Sequence, residues 1–453
     1  MRPRLPRRSV AAYVLLCALA AVQPAAAQLN TVFSDIFSEV LETRLVLSPG
    51  KHANHFVPAA NKANAELVPA LNSLITGDIS SFPLSSTSPR IGFDFSSGRP
   101  VSVTESLGPI MAETAEPLGK GKLVLEASYT YLDLSELRGL PTDQMQFTFT
   151  HVPITPGEPA LGQNTNESDI INLVMDLHTT VSIGAVIATY GLSNSMDLSV
   201  AIPVISVRLN GTATATIDSY TFASGGAAHH YFGGDSLNPI LTTKVPYDQS
   251  STGIGDVALR LKYNLQQGEG MNAAALLDIR LPSGRVADFL GSGRPTYRLW
   301  GILSSRVGDM APHLNLGYTH KVADLQSDAI EFRGGFDSKL SPKVTFAMDV
   351  LGQIDVNPDK AIHLAPGSVT IIDRIDSLRD NPSSGRLSNI AAVRNVPLSN
   401  IPDLSNDNQF SLAAGFRYSP FESSMFFLNV LVPLNTRGLR ASVAPTIGFS
   451  ASL

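Results

Sequence analysis

Cysteine is almost absent: the chain of 453 residues has one, Cys17, inside an apolar run close to its N-terminus. We predict that this run is removed from the mature protein. A chain without thiols forms no disulfides and has neither thiolate metal ligands nor a cysteine nucleophile. Leu15 and Leu16 precede the cysteine where a lipoprotein signal requires a small residue, so we expect no lipid anchor.

Charged residues are scarce as well. They make up 16% of the chain, against roughly 25% in soluble globular domains, and the basic residues form no tract with interleaved aromatic side chains. This distribution gives no support to nucleic-acid binding. Glycine and proline are instead plentiful, at 35 and 30 residues, which favours many strands joined by turns.

Beyond residue 27 the chain lacks any apolar run of about 18 residues, the length needed for a membrane-spanning helix. The longest candidate, 181–192, is too short and contains Gly184 and Gly191. Residence in a membrane would therefore require β-strands.

Residues 1–27 have the three regions of an export signal. A basic stretch and an apolar run over 10–22 are followed by three alanines, and this order predicts cleavage after Ala27. The apolar run is too short for a membrane anchor. The basic residues are Arg2, Arg4, Arg7 and Arg8, and the alanines are Ala25, Ala26 and Ala27.

From residue 122 to the end, apolar and polar side chains alternate with the period of half-buried β-strands. In 256–263, for example, Leu259 and Leu261 alternate with Arg260 and Lys262. The pattern predicts an all-β fold, an antiparallel transmembrane β-barrel of about twelve strands over 122–453. The predicted strands are 122–133, 171–188, 196–210, 254–264, 271–281, 296–307, 311–321, 329–340, 343–355, 408–418, 424–434 and 439–453.

Every second connection between these strands is short, and the long ones all fall at the opposite end. Outer-membrane barrels have short periplasmic turns and long extracellular loops. We therefore predict that the long connections face outward. The short connections are 189–195, 265–270, 308–310, 341–342 and 419–423, and the long ones are 134–170, 211–253 and 356–407.

Tyrosines near the predicted strand ends fit the aromatic girdles of the two membrane interfaces. The outer set is Tyr131, Tyr297 and Tyr318, and the inner set is Tyr263 and Tyr418. The chain also ends within its last strand, which we expect the barrel-assembly machinery to recognise. That strand ends on Leu453 rather than on the usual aromatic residue, and Phe449 lies four residues earlier.

The segment 28–121 has a different pattern. Leu29, Val32, Phe33 and Ile36 recur at helical spacing and predict an amphipathic helix over 29–47. We expect a second helix over 58–76, a linker over 80–90 and a hairpin over 90–103. This partly helical segment is either a plug inserted in the lumen or a periplasmic extension packed under the barrel.

Motifs for catalysis are missing. The chain has no G-x-S-x-G elbow, P-loop, H-E-x-x-H or dinucleotide fingerprint. The adjacent residues His229 and His230 have no partner at metal-ligand spacing, so we predict neither a metal site nor a cofactor. His178, with Asp176 and Thr180, is expected to face the lumen, but no residue stands out as a nucleophile.

The charged positions of the predicted strands give the better functional indication. Facing lipid, each charge would cost about 2–4 kcal/mol near the midplane, so we expect these side chains to line the lumen. The lumen is then either a solvated pore or a space sealed by ion pairs. The predicted pore-lining residues are Asp256, Arg260, Lys262, Asp278, Arg280, Arg298, Arg306, Glu331, Arg333, Asp337 and Asp349.

Three short sequence motifs, taken together, resemble those of a known family. They are the turn and strand at 190–203 (YGLSNSMDLSVAIP), the turn at 253–256 (GIGD) and the turn at 281–284 (LPSG). The sequence over about 118–453 is similar to the outer-membrane transporter family named for the MetA pathway of phenol degradation. The resemblance implies a β-barrel that transports small aromatic or hydrophobic compounds.

Together these features predict an outer-membrane channel or transporter for small molecules rather than an enzyme. Its expected partners are the lipid bilayer of the outer membrane, the barrel-assembly machinery and a small-molecule substrate. Two alternatives remain: a barrel enzyme acting on lipid or ester, and a soluble secreted β-sandwich that binds a ligand.

Overall fold

The computed structural model contains a closed antiparallel β-barrel of twelve strands, which confirms the predicted fold class. Each strand pairs with its neighbours in sequence, and the last strand pairs with the first. The residues that the structure describes are 28–47, 56–83, 92–94, 101–103, 106–151, 169–223, 225–268, 270–322, 325–375, 390–421 and 423–453.

We label the barrel strands β1 to β12, with β4 in two parts separated by a break at 255–257. They are β1 Leu123–Leu137, β2 Ile170–Gly191, β3 Met196–Asp218, β4 Thr242–Ile254 and Ala258–Gln266, β5 Met271–Arg280, β6 Thr296–Ser305, β7 Met310–Lys321, β8 Ala329–Ser341, β9 Val344–Asp355, β10 Gln409–Phe421, β11 Ser424–Pro433 and β12 Ala444–Ser452.

Closure brings the C-terminus against the start of the barrel. Leu453 N donates to Leu123 O at 2.8 Å, and Leu123 N donates back to Leu453 O at 3.3 Å. A closed sheet has no free edge, so its backbone amides are paired within the sheet, as a bilayer requires.

The connections confirm the predicted asymmetry. The turns 192–195, 267–270, 306–309, 342–343 and 422–423 all lie at the end of the barrel that also carries the C-terminus. The long connections lie at the other end, which we call the outer end. One of them contains a hairpin that the sequence did not predict, Ser368–Ile375 paired with Ile390–Pro397.

The outside of the barrel is apolar. Leu299, Leu316 and Ile447 are 61%, 58% and 56% exposed, which would be unfavourable in water and is appropriate to lipid. Exposed tyrosines border this band at both ends. They are Tyr131, Tyr297 and Tyr318 at the outer end and Tyr263 and Tyr418 at the turn end.

Two strands continue well beyond the barrel. β2 and β3 have 22 and 23 residues, whereas β6 has 10. Their outer halves pair with Met145–Thr150 on one side and with the first part of β4 on the other. We call this four-stranded extension the outer sheet.

The polarity of the wall is inverted in the outer sheet. Its inward residues Leu173, Met175 and Leu177 are buried and apolar, whereas Asp176 and His178 face outward. The prediction that His178 faces the lumen is therefore wrong. Beyond the lipid the outer surface meets water, so polar residues occupy the outward positions and apolar ones pack inside.

The N-terminal helices supply the packing partner of the outer sheet. They are α1 Val32–Ser38, α2 Val57–Lys62 and α3 Val68–Ser81, with turns of 3-10 or π-helix at Leu29–Thr31, Glu39–Thr43 and Ala63–Leu67. Phe37 contacts Phe147 and Phe149 edge-on, with ring centroids 6.2 and 5.6 Å apart. Helices and outer sheet share one apolar core at the outer end of the barrel.

Two short strands, Gly92–Asp94 and Val101–Val103, pair as the hairpin expected over 90–103. Among the described residues, no helix is both long and apolar enough to cross a bilayer.

An arginine placed in the apolar band tests the membrane boundary. Leu314 is 48% exposed on β7, beside Leu303 on β6. Because an arginine near the midplane costs about 2–4 kcal/mol, we expect Leu314→Arg to lower the free energy of unfolding in lipid vesicles by about that amount. Equilibrium denaturant titration measures the loss.

The matched control is Leu237→Arg. Leu237 is 71% exposed in the turn between Gly233–Gly234 and Pro239–Ile240, beyond the apolar band. We expect no comparable loss there, and equal losses at the two positions would contradict the boundary.

Candidate functional site

Residues 106–118, which we call the crossing segment, traverse the lumen near its turn end. The segment begins at the wall formed by β9, β10 and β11. Leu107 N donates to Thr345 Oγ1 at 3.0 Å, and the Leu107 side chain packs with Met425 and Phe427. Arg417, which is 1% exposed, donates to the carbonyl oxygens of Leu107 and Pro109.

The middle of the crossing segment is held by one carboxylate. Asp349 Oδ2 accepts hydrogen bonds from the backbone amides of Ile110, Met111 and Ala112 at 3.2, 2.7 and 3.2 Å. The other oxygen, Oδ1, is hydrogen-bonded to His313 Nε2 on β7. Three converging amides fix the backbone of the segment against β9, because bonds to an ionised acceptor are stronger than neutral ones.

The next residue reaches the opposite wall. Glu113 N donates to Asn315 Oδ1 at 2.6 Å, and Asn315 Nδ2 donates back to Glu113 O at 2.9 Å. The Glu113 carboxylate lies 3.3 Å from Arg260 Nη1, and Arg260 Nε also donates to Asp278 at 3.0 Å. The ion pair thus joins the crossing segment to β4 and β5.

The crossing segment then runs to the turn end of the barrel. Lys262 Nζ donates to Glu116 O at 2.9 Å and Asn264 Nδ2 to Ala115 O at 2.9 Å. Leu118 N is 3.0 Å from both carboxylate oxygens of Asp197 on β3. The chain turns there and enters β1.

Charge complementarity accompanies these contacts. The crossing segment contains two acidic residues, Glu113 and Glu116, and no basic residue. The wall side chains that approach it include Arg260, Lys262 and Arg417. Opposite charges at the contact stabilise the segment inside the lumen, where screening by salt is weak.

The structure brings most of the predicted pore-lining residues to inward positions of β4 to β9, where they are buried or nearly so. These residues are Arg260, Lys262, Asp278, Arg280, Arg298, Glu331, Arg333, Asp337 and Asp349. Several pair with one another, as Arg298 and Glu331 do at 3.4 Å. That they line a path for solutes stays a prediction.

Two predicted pore-lining residues lie elsewhere. β6 ends at Ser305, so Arg306 is exposed in the following turn and bonds Gly308 O. Asp256 occupies the break in β4 and accepts hydrogen bonds from Gly284 N at 3.0 Å and Ser292 N at 2.8 Å. Its carboxylate holds the loop between β5 and β6.

Sequence reasoning missed the residues of the crossing segment itself. Glu113 and Glu116 lie in a stretch with neither strand nor helix periodicity, so no pattern placed them in the lumen. Arg417 is on the polar face of its predicted strand and could have been included on that signal. Asp197 and Asn315 have the same signal on β3 and β7.

Beyond the crossing segment, toward the outer end, lies a cavity of about 110 Å³. It is bounded by the end of α3 on one side and by the barrel wall on the other. Its apolar lining includes Phe82, Leu132, Leu134, Leu351 and Leu431, and its polar lining includes Asp78, Glu331, Arg333, Gln409 and Arg440.

Asp78 connects α3 to this wall. Its carboxylate accepts hydrogen bonds from Gln409 Nε2 at 2.7 Å and from Leu439 N at 3.0 Å. Burial at the contact raises the pKa of Asp78 to about 6, with the charge of Asp407 acting in the same direction and Arg440 and the two hydrogen bonds opposing it.

A buried histidine cluster lies at the base of the N-terminal helices. His230 Nδ1 is 2.8 Å from Asp169 Oδ2, and the ring stacks edge-on against Phe56 and His151. Ser219 Oγ contacts the same carboxylate rather than the histidine, while His230 Nε2 has no hydrogen-bond partner among the described residues. Among the described residues, no hydroxyl group is therefore hydrogen-bonded to His230, as the nucleophile of a serine-type catalytic site would be.

The cluster does not form a metal centre either. No group of three or more His, Cys, Asp or Glu side chains in the described part of the chain is arranged to hold an ion.

Removing the Asp349 carboxylate tests how the crossing segment is held. In Asp349→Leu the three amides of residues 110–112 lose their acceptor, and each buried unsatisfied group costs about 1–3 kcal/mol. We expect hydrogen exchange at these amides to accelerate at least a hundredfold while the barrel remains folded. The control is Asp309→Leu in the exposed turn between β6 and β7; equal protection of 110–112 in both variants would contradict this anchor.

The raised pKa of Asp78 predicts a pH dependence for the docking of α3. A carboxyl group with a raised pKa contributes stability that is complete below its unfolded value, near 4, and is lost as pH rises through about 6. Hydrogen exchange in α3 should therefore report stronger docking at pH 5 than at pH 7.5. In Asp78→Asn that difference should shrink, and an unchanged difference would contradict the assignment.

No family model and no curated protein matches the sequence. Among solved structures, the chain is similar to an outer-membrane channel from Pseudomonas putida F1, with 11% identity and a TM-score of 0.41 over 75% of this chain and 98% of that one. The CymD monoaromatic hydrocarbon channel matches at 9% identity and 0.35, over 74% and 89%. The NanC porin matches at 9% and 0.34, over 73% and 100%. At these TM-scores the likenesses carry no argument about function.

Proposed function

We propose that the protein is an outer-membrane channel for small molecules, closed in this structure by the crossing segment, which acts as a displaceable plug. The observation that carries the proposal is the kind of contact that holds the segment. Along its length, backbone groups bond to polar or charged side chains of the wall, from Thr345 to Asp349 and Asp197.

Such contacts suit reversible closure. Each hydrogen bond contributes about 0.5–1.5 kcal/mol net, or about 1.5–3 kcal/mol where the wall side chain is charged, because water replaces it when the segment leaves. The wall also contains pairs that do not involve the segment, such as Arg298 with Glu331. Displacement would therefore expose polar and charged side chains to water, together with the smaller apolar contacts made by Leu107, Ile110 and Met111.

The size of the barrel favours small solutes. Eight-stranded barrels are filled by their own side chains, and barrels of 16 to 18 strands are open porins. Twelve strands give an intermediate lumen, which here needs a separate piece of chain to fill it. We propose that the permeation path is lined by the inward members of the predicted pore-lining set, from Arg260 to Asp349.

The same proposal assigns roles along the chain. Residues 1–27 are an export signal cleaved after Ala27, 28–121 carry the plug, and 122–453 are the barrel. β12 is the strand that the assembly machinery recognises. The localisation is the bacterial outer membrane, in agreement with the apolar outer band and the tyrosines at its borders.

Membership of the MetA-pathway family, with small aromatic or hydrophobic substrates, belongs to the proposal as well. Two of the motifs behind that resemblance form one unit. Ser283 Oγ donates to Gly255 O at 2.8 Å, and Gly284 N donates to Asp256 at 3.0 Å. The turns at 253–256 and 281–284 are thus bonded to each other beside the break in β4, which explains structurally why the two motifs occur together.

Locking the crossing segment tests the plug. Ala115 N donates to Ser304 Oγ at 3.1 Å, so a disulfide between Ala115→Cys and Ser304→Cys would tie the segment to β6. Pairing is unambiguous because Cys17 is the only native cysteine. We expect planar-bilayer conductance at least tenfold lower in the oxidised double variant than after reduction.

Ala115→Cys alone is the control and should not respond to the reductant. Equal conductance of the double variant before and after reduction, with the disulfide verified, would show that the segment is not a gate. If no variant conducts, including the reduced ones, the proposal of a channel would be contradicted.

A further inference from the structure

Arg440 is a buried guanidinium without an acidic partner. It is 8% exposed, in the short strand Leu439–Ala441 that pairs with the outer end of β1. Its hydrogen bonds go to neutral groups: Nη1 to Gln409 Oε1 at 2.8 Å, and Nη2 to Phe410 O at 3.2 Å and to Ser411 Oγ. Among the described residues, no carboxylate lies within ion-pair distance of it.

The nearest compensating charge is one side chain away. Gln409 accepts from Arg440 and donates to Asp78 at 2.7 Å, so the amide separates the two charges. Asp78 is itself partly protonated near pH 6, since its pKa is raised to about that value. A guanidinium has five N–H donors and always carries its charge. Its three bonds go to neutral acceptors, so they supply no counter-charge, which an anionic partner would provide.

Arg440 lines the cavity described above, whose volume is about 110 Å³. One side of the cavity is aliphatic, with Leu132 and Leu134 from β1, Leu351 from β9 and Leu431 from β11. An apolar cavity of roughly 150 Å³ holds a benzene ring. At about 110 Å³ the space takes at most a single ring or a short chain, with one end presented to Arg440.

The same cavity is connected to the crossing segment. Arg333 lines it and donates from Nη1 to Met111 O at 2.8 Å, while its guanidinium lies 4.7 Å from the centroid of the Trp300 ring. A molecule in the cavity would therefore lie on the outer side of the crossing segment, beside the arginine that bonds to it.

We propose that this cavity is a binding site for a small amphipathic monocarboxylate, an aromatic or short aliphatic acid, with its carboxylate on Arg440 and its apolar part against the leucines. The site deepens the proposed function and rests on it only for its role as a station on the transport path. A planar guanidinium fork matches a carboxylate through two parallel hydrogen bonds.

Other ligand classes fit the site less well. A cation would meet Arg333 and Arg440, and a neutral hydrocarbon would leave Arg440 without a counter-charge. A dianion would meet Glu331 and Asp78, which also line the cavity. One negative charge on an apolar body gives Arg440 a counter-charge and adds no second negative charge beside Glu331 and Asp78.

Calorimetric titration of the full-length protein in detergent with benzoate and with benzamide tests the proposal. The two probes share ring and shape and differ in charge. We expect benzoate to bind, benzamide to bind at least tenfold more weakly, and Arg440→Gln to weaken benzoate at least tenfold with little effect on benzamide. Arg440→Lys should keep an intermediate affinity, since it keeps the charge without the fork.

The matched control is Arg208→Gln. Arg208 is an exposed arginine paired with Asp248 on the outer sheet, and its loss should leave benzoate binding unchanged. Equal affinity for benzoate and benzamide, or unchanged benzoate affinity in folded Arg440→Gln, would overturn the proposal. Heat-modifiable migration on gels shows that each variant is folded.

If Arg440→Gln does not fold, Leu431→Trp decides instead. It keeps Arg440 and fills the apolar side of the cavity, so benzoate binding should be lost; retained binding would overturn the site. Liposome permeation separates the two proposals. Benzoate binding that depends on Arg440 in a barrel that passes no solute would refute the channel alone, and permeation with binding independent of Arg440 would refute the site alone.

Discussion

Charged side chains on the inner wall need partners, because the outside of the barrel is apolar and offers them none. The wall supplies some of these partners itself, as in the pair of Arg260 with Asp278. The remainder come from the crossing segment, whose amides satisfy Asp349 and whose Glu113 approaches Arg260. This requirement explains why a stretch with no helix or strand of its own is held in one place: its conformation is set by the acceptors and donors of the wall.

The same requirement determines where the inward residues of the wall change from polar to apolar. Within the apolar band the inward positions of β1 are polar, with Glu126 and Thr130, and beyond Tyr131 they become apolar, with Leu132 and Leu134. The N-terminal helices need an apolar surface and find it there, on the outer sheet. The crossing segment, held by polar contacts, thus lies at one end of the lumen, and the apolar core of the N-terminal helices lies at the other. The cavity lies between them.

The fold was largely predictable because a barrel repeats one simple rule. Alternation with period 2 identified the strands, and loop length identified the two ends. The rule fails where its assumption fails: it placed His178 in the lumen because it assumes lipid outside, whereas β2 continues beyond the apolar band into a region where the outside is polar. The extent of the outer sheet was missed as well: residues 211–218 of β3 and 242–253 of β4 were assigned to the long connection 211–253 and are strands in the structure.

Of the candidate site, only the residues on the barrel wall could be predicted from the sequence. Inward charges such as Asp349 and Arg260 follow from strand phase. The groups of the crossing segment that bond to them, the amides of residues 110–112 and the Glu113 carboxylate, do not follow from any pattern, because that segment has no strand or helix periodicity. Arg306 shows how a boundary error of two residues moves a side chain from the wall to a turn. The cavity and Arg440 depend on how α3 meets the barrel, a tertiary contact that no local pattern encodes.

The central claim is that the crossing segment leaves the lumen in the folded, membrane-embedded protein. Ala112 is 0% exposed in the middle of that segment, so Ala112→Cys combined with Cys17→Ser provides a single thiol there. Its rate of labelling by a membrane-impermeant maleimide in lipid vesicles measures displacement directly. We expect labelling to be much slower than that of an exposed thiol but far faster than unfolding of the barrel. A thiol that reacts only when the barrel unfolds would contradict it, because the segment would then be a permanent part of the wall.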